Sequence, residues 1–130
     1  MVLNGMEIKK AININDKYQP FTMQILCGEK AEETRGTHSL DSLIGKPVAI
    51  VRTGKGRAEI VGTCIIKGCH EYKTRTAFEN AYERHLVKSG SPFDFDHSKS
   101  GQKIGYILEN VKPIENPIVC ESRGIVIRNI

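Results

Sequence analysis

Three ionisable side chains, Lys30, Glu33 and Arg35, stand within six residues of one another and could form a polar site. They follow a short apolar run, Phe21–Cys27, that begins after Pro20 and stops at a glycine. Because proline suits the first position of a helix and glycine the position just past its end, the run predicts a short helix that breaks into an extended segment. In that segment Glu33 and Arg35 point to the same side.

The electrostatics of this segment favour Lys30 as a positive anchor for a ligand. A lysine at a helix C-terminus feels the negative end of the helix dipole, and the nearby Glu33 adds to that attraction, so both favour the charged ammonium. Burial and the cation of Arg35 act in the opposite direction. We therefore expect Lys30 to bind rather than to act as a neutral nucleophile or base. The alternative interpretation is a structural salt bridge that holds the helix against the sheet.

A second group of basic residues lies on a predicted hairpin. The apolar runs at 48–52 and 58–66 predict two strands, and the two glycines in the five-residue connection predict a tight turn. Its tip carries Lys55 and Arg57, which we expect to contact phosphate. The segment from Lys46 to Arg75 has seven basic and two acidic residues, a net charge of +5 in a chain of net charge +4. Such a strip suits a nucleic-acid backbone; the alternative is a solvated surface.

The elements that must hold these residues follow from periodicity. Thr76 and Glu79 form a predicted capping box at the start of a helix. The helix has one apolar face at 78, 81, 82, 85 and 86, and it ends before Gly90 and Pro92. On this face His85 is predicted to be a hydrogen-bonded core residue. The segment 91–102 predicts a loop, and strands are expected at 104–111 and 125–130.

Composition sets the class of protein. The 130 residues are 26% charged and 39% hydrophobic, which indicates one globular domain, residues 1–130. No apolar run reaches the roughly 20 residues of a membrane span and no signal peptide opens the chain, so we expect no membrane partner. Four scattered cysteines predict reduced thiols and a cytoplasmic location. Cys64, Cys69 and His70 lack the spacing of a metal site, so neither a metal nor a cofactor is expected.

The chain also resembles a known family. The pattern Gly-x-Lys-x-x-Glu-x-Arg after a short helix, at 28–35, resembles the signature of ASCH domains, small relatives of the RNA-binding PUA fold. Further elements follow in the family's order. They are a Gly-Lys entry into a strand at 45–50, a glycine-containing strand at 60–66, an aromatic-x-Leu-x-x-Val segment at 106–111, and then Pro117-Ile118 and Gly124. The ordered set covers about Pro20 to Ile130 and is more specific than any single element.

The resemblance implies both a fold and a function. The implied fold is α+β: a PUA-like mixed β-barrel with two to three flanking helices, in a single ASCH/PUA-like domain. The implied function is binding of RNA or a modified nucleoside in a cleft around the motif, with Lys30, Glu33 and Arg35 on its wall. In this interpretation the basic groups meet phosphate, and Glu33 accepts hydrogen bonds from the amino or imino edge of a base.

Two catalytic alternatives also follow from the resemblance. Some small bacterial relatives are amidohydrolases that remove the acetyl group from acetylated cytidine with the motif lysine, a threonine three residues later and a downstream glutamate. Lys30 would be the catalytic lysine here, but Glu33 occupies the threonine position, and Glu71, Glu79 and Glu83 compete for the downstream role. The other alternative is a ribonuclease, for which histidines could supply acid–base groups. No spacing selects a pair among the four histidines, His38, His70, His85 and His97.

Overall fold

A computed structural model describes all residues, Met1 to Ile130, as an α+β fold built on one six-stranded sheet. Two short strands form a separate N-terminal hairpin, β1 (Val2–Leu3) and β2 (Met6–Glu7). The main sheet has the order β4-β7-β6-β5-β3-β8. Its strands are β3 (Lys10–Asn15), β4 (Glu32–Arg35), β5 (Pro47–Thr53), β6 (Glu59–Tyr72), β7 (Lys103–Val119) and β8 (Ile127–Asn129).

The middle of the sheet is buried on both faces. Ile12 and Ile50 belong to an 18-residue core on one face, whereas Ala11 and Ala49 belong to a 7-residue core on the other. Strands β3 and β5 run parallel in this region, and apolar residues in succession are typical of a strand covered on both sides. Packing on both faces makes the sheet a rigid support for β4, the strand that carries Glu33 and Arg35.

Three short helices flank the sheet: α1 (Phe21–Leu26), α2 (Arg75–Asn80) and α3 (Tyr82–His85). Turns of 3₁₀-helix lie at Asp41–Leu43 and Phe95–His97. With at most six residues each, the α-helices are too short to cross the apolar part of a bilayer. Gly28 has φ +85°, a left-handed conformation that favours glycine, and it turns the chain from α1 toward β4. The helix and extended segment predicted around the motif are therefore confirmed.

The prediction that Thr76 caps the second helix is wrong. The cap is Thr74, whose hydroxyl oxygen accepts a hydrogen bond from Ala77 N at 3.1 Å. The carboxylate of Glu79 pairs with Arg75 Nε at 2.8 Å instead of reaching back to the cap. The helix also divides at Ala81, which is the C-cap of α2 and the N-cap of α3, and Leu86, in a left-handed conformation with φ 56°, ends α3. Thr74, two residues before Thr76, can cap the same turn of helix, and the spacing in the sequence does not distinguish the two threonines.

The sheet does not close into a barrel, so that part of the predicted fold is not confirmed. Strands β4 and β8 are its two edges, and no strand pairing joins them. The sheet nevertheless curls back on itself, as a hydrogen bond from Arg35 Nη2 on β4 to the Asn13 carbonyl oxygen on β3 shows, at 2.6 Å. The edge strand β4 therefore faces the other side of the sheet, formed by β3 and the edge strand β8. A narrow gap separates these two sides.

Candidate ligand-binding cleft

A cavity of about 300 Å³ opens in this gap. Its wall is formed by β3, the motif strand β4, the end of β5, the start of β7, the first residue of α1 and four connecting segments. Thirteen residues line it: Asn13, Asn15, Phe21, Lys30, Glu33, Thr34, Arg35, Gly36, Thr53, Val87, Phe93, Lys103 and Ile125. All three ionisable residues predicted from the motif are among them. A volume of this order is at the lower end of the range typical of small-molecule sites.

Lys30 is almost completely buried at the inner side of the cleft, with 1% of its surface exposed. Its Nζ donates a hydrogen bond to the His85 carbonyl oxygen, lies 3.9 Å from Glu33 Oε1, and sits 4.7 Å from the centre of the Phe21 ring. Burial lowers the pKa of Lys30 to about 8, although the carboxylate of Glu33 acts in the opposite direction. The expectation that attraction would dominate at Lys30 is therefore wrong: desolvation is the larger effect.

Glu33 and Arg35 share one face of β4, as strand alternation predicts. Arg35 Nη2 lies 3.0 Å from Glu33 Oε2, and Glu33 Oε1 faces Lys30 on its other side. The carboxylate is therefore held between two cations. Arg35 Nε is buried and has no hydrogen-bond partner. An unpaired buried donor costs free energy, which an acceptor atom of a ligand could offset.

Lys103, at the start of β7, is a third cation of the cleft that sequence analysis missed. Only 6% of its surface is exposed, and its ammonium makes no hydrogen bond or ion pair within the protein. Burial lowers the pKa of Lys103, and the carboxylate of Glu33 raises it. With Lys30, Arg35 and Glu33 all charged, the four side chains carry a net charge of +2. This arrangement attracts an anion or a group rich in acceptor oxygens.

The basic hairpin tip lies outside the cleft lining. Lys55 and Arg57 are exposed and form no ion pair. The turn nevertheless begins beside the cleft, because Thr53 lines the cavity and Gly54 packs against Asn15 and Lys17. An added Cβ at Gly54 would lie 2.2 Å from Asn15 Oδ1, and φ is +82°, so the close approach requires glycine. The hairpin can therefore reach only a ligand that extends beyond the cavity.

None of the four histidines lines the cleft. His85 is a core residue, as predicted: its Nδ1 accepts from Val87 N, and its Nε2 donates to the Phe78 carbonyl oxygen. His70 contacts the buried carboxylate of Glu32 at 2.9 Å. Among the glutamates considered for a downstream catalytic role, Glu71, Glu79 and Glu83 all lie outside the cleft as well. The polar chemistry of the cleft therefore rests on lysine, arginine, glutamate, asparagine and threonine side chains.

Comparison with known proteins supports this fold. No family model matches the chain, and no curated protein does. Solved structures do match: an ASCH protein from Zymomonas mobilis superposes with a TM-score of 0.70 at 12% identity, covering 93% of this chain and 86% of the other. Its serine-to-alanine variant gives a TM-score of 0.71 at 15% identity, with 93% and 87% covered. A tyrosine-to-phenylalanine variant gives 0.65 at 14% identity, with 88% and 78% covered.

The chain thus has the fold of an ASCH domain. The structural match spans most of both chains and confirms the predicted resemblance to the ASCH family at the level of the fold. Identities of 12 to 15% establish the fold alone.

Proposed function

We propose that the protein binds a nucleoside unit, free or within RNA, in the cleft around Lys30, Glu33 and Arg35. The observation that carries the proposal is Lys103, which lines the cavity with 6% of its surface exposed and whose ammonium makes no hydrogen bond or ion pair, only a contact 5.9 Å from the centre of the Phe78 ring. Burying an unpaired cation is costly, and such a group is stabilised when a ligand supplies the missing acceptor. Arg35 Nε, on the neighbouring strand β4, is likewise buried without a hydrogen-bond partner and would be stabilised by an acceptor atom of the ligand.

The remaining lining suits the other parts of a nucleoside. The rings of Phe21 and Phe93 form an edge-to-face pair with centroids 5.8 Å apart and provide an aromatic surface for a base. Glu33 supplies carboxylate oxygens that can accept from an amino or imino group. A phosphate or sugar hydroxyl would then lie toward Lys103 and Arg35. One cavity of about 300 Å³ admits one such unit rather than a folded RNA segment.

Calorimetric titration with cytidine, acetylated cytidine, cytidine monophosphate and a short single-stranded RNA tests the proposal. We expect binding of at least one of these ligands to the wild type and a loss of about 10- to 100-fold in affinity for Lys103→Met, as for other hydrogen bonds to charged groups. Lys67→Met, in an exposed lysine on β6, is the matched control and should bind like the wild type. Equal affinities for Lys103→Met and the wild type would refute the proposal.

A second candidate function, amide hydrolysis of acetylated cytidine, is favoured by one observation. The lowered pKa of Lys30, about 8, leaves part of the amine neutral in mildly alkaline solution, where it could take a proton from an attacking water. Mass spectrometry of acetylated cytidine incubated with the protein distinguishes the two functions. Deacetylation that disappears in Lys30→Ala supports the hydrolase; tight binding with unchanged ligand supports the binding function alone.

The ribonuclease alternative receives no such support. Acid–base catalysis of RNA cleavage requires groups within hydrogen-bond reach of the reacting atoms, and no histidine lines the cleft. We therefore do not propose it. Incubation with labelled single-stranded RNA, run beside the titrations, checks this directly.

A further inference from the structure

A second cluster of polar side chains lies outside the cleft lining, where the connection that follows the motif strand packs beside β6. It contains His38, which follows β4, Asp41 at the start of a 3₁₀ turn, and Cys69 on β6. Glu71 lies two residues beyond Cys69 and therefore on the same face of the strand. Two segments distant in sequence, 38–41 and 69–71, thus bring an imidazole, two carboxylates and a thiol together.

The donor atoms of His38, Asp41 and Cys69 all lie within 4.8 Å of one another. Asp41 Oδ1 is 3.1 Å from His38 Nδ1 and 3.9 Å from Cys69 Sγ. Zinc–ligand bonds of about 2.1 Å to N or O and about 2.3 Å to S, in tetrahedral geometry, place N and O roughly 3.4 Å apart and S and O roughly 3.6 Å apart. These two separations therefore need to change by only about 0.3 Å each, and the third pair, His38 Nδ1 and Cys69 Sγ, which lies within 4.8 Å, would close toward roughly 3.6 Å for one ion to bridge the atoms.

The residues behind this cluster hold its members in the orientation that a metal requires. His38 Nε2 lies 2.7 Å from Glu71 Oε1, so the carboxylate fixes the ring and leaves Nδ1 turned toward Asp41. Tyr106, whose ring is fully buried, donates its hydroxyl hydrogen to Asp41 Oδ1 at 2.6 Å. Metal-binding histidines and carboxylates are typically held by outer partners of these two kinds.

We propose that His38 Nδ1, one carboxylate oxygen of Asp41 and Cys69 Sγ form a binding site for a zinc-class divalent ion. A donor set of one nitrogen, one oxygen and one sulfur favours zinc or cobalt over magnesium or calcium, which prefer oxygen alone. On binding, the proton of the Cys69 thiol and any proton on His38 Nδ1 are released to solvent, and the thiolate sulfur and the imidazole nitrogen donate electron pairs to the ion. Three protein ligands leave a fourth position for water.

The competing interpretation is an exposed hydrogen-bond network without a metal. His38 and Asp41 would make the same contacts in that case, but Cys69 would contribute little, since a thiol is a weak donor and its sulfur is 3.9 Å from the acceptor. The two interpretations differ in what they require of Cys69. A measurement that reports sulfur bonding therefore decides between them.

Titration of the reduced protein with Co²⁺, followed by absorption spectroscopy, tests the proposal. We expect one equivalent to produce a thiolate-to-cobalt charge-transfer band in the near ultraviolet and the visible bands of a four-coordinate ion, both removed by Zn²⁺. Cys69→Ala should abolish the charge-transfer band, whereas Cys27→Ala, which removes an exposed cysteine elsewhere, should retain it. Glu71→Gln should retain the band but weaken affinity by about 10- to 100-fold.

The proposal fails if the wild type shows no charge-transfer band, or if the band persists in Cys69→Ala or disappears in Cys27→Ala. Circular dichroism of each variant checks that it is folded. Should Cys69→Ala not fold, His38→Ala serves in its place, since that side chain is partly exposed and lies in a connection rather than in a strand. Retention of the cobalt spectrum in a folded His38→Ala protein would equally overturn the site.

Discussion

The cleft and the hairpin tip both present basic side chains, yet their physical situations are opposite. Lys30 and Lys103 are 1% and 6% exposed and are fixed by the strands and helix ends around them. Lys55 and Arg57 are exposed on a turn and form no ion pair. The buried cations have given up most of their hydration before any ligand arrives, whereas the exposed pair keeps its hydration.

This difference separates two kinds of recognition. A desolvated, pre-positioned cation contributes strongly to one ligand geometry, because its reorganisation cost is already part of the folding free energy. An exposed, flexible cation attracts any anion weakly and is screened by salt. We therefore expect the cleft to select the ligand and the hairpin to add affinity only for a ligand that extends beyond it. The following variants test this distinction, from the largest expected effect to the smallest.

The largest effect is expected from Lys30→Met on stability as a function of pH. Folding lowers the pKa of Lys30 from 10.5 to about 8, so between these values the unfolded chain holds a proton that the folded protein has released. Raising the pH through this window therefore stabilises the wild type relative to the variant. At about 1.4 kcal/mol per pKa unit, the gain approaches 3 kcal/mol, roughly, by pH 10.5. Urea denaturation at several pH values measures it.

Lys55→Met is the control for that experiment, since it removes an exposed lysine that is solvated in both the folded and the unfolded states. Its stability should follow that of the wild type throughout the series. A constant difference between Lys30→Met and the wild type from pH 7 to 10.5 would show that the Lys30 ammonium is not desolvated. The proposed difference in hydration between the cleft lysines and the hairpin lysine would then be refuted.

The next effect concerns the choice of ligand. Arg35→Lys keeps the charge but loses the planar fork that bonds Glu33 and Asn13, and the two residues are not interchangeable at such sites. We expect about a tenfold loss of affinity, with a changed order of preference among the nucleoside ligands of the titration. A uniform loss for every ligand would indicate that Arg35 supports the strand and does not face the ligand.

A smaller effect separates Thr74 from Thr76 and has no bearing on the ligand. Thr74→Ala removes the observed cap of α2 and should lower the free energy of unfolding by about 1 kcal/mol. Thr76→Ala, in an exposed side chain within the helix, should stay within about 0.5 kcal/mol of the wild type. Thermal or chemical denaturation of the pair measures both. Equal losses would place the cap at neither residue alone.

The smallest effect is expected from the hairpin. If Lys55 and Arg57 contact phosphate, the double change to Ala should weaken binding of any RNA to a similar extent, because phosphate carries no sequence information. Each lost contact should reduce the slope of log affinity against log salt by about 0.7 for a single strand. Affinity for a free nucleoside should stay unchanged. An unaltered slope for RNA would mean that the basic tip is only a solvated surface.

The local structure around the motif was predictable because it depends on near neighbours. Proline before α1, a glycine with positive φ after it, and alternation in β4 each act over a few residues, and all three interpretations hold in the structure. The cap of α2 was misassigned because Thr74 and Thr76 both precede the helical run. Only the backbone conformation decides which hydroxyl faces Ala77 N.

The rest of the site depends on contacts between distant segments. Lys103 precedes an apolar strand and looks like an ordinary polar flank in sequence, yet the pairing of β4 with β7 carries it beside Glu33. His38 and Cys69 lie too far apart in sequence for any metal-binding motif. The desolvation of Lys30 is likewise a property of the folded core, whereas helix dipole and neighbouring charge are local. The spacing of residues in the sequence indicates which charges are neighbours along the chain, but it does not show which side chains the fold buries.

The open sheet would give a ligand bound in the cleft a mechanical role. The Arg35 side chain already links β4 to β3 across the gap, by its hydrogen bond to the Asn13 carbonyl oxygen. A molecule held by Lys103 and Glu33 on one side and by Asn13 on the other would add further links across the same seam. Occupancy should then slow hydrogen exchange of the amides on the two facing edges, as a missing strand would do if it were inserted. The ligand would thus connect β4 to β3 where no strand pairing joins the two sides of the sheet.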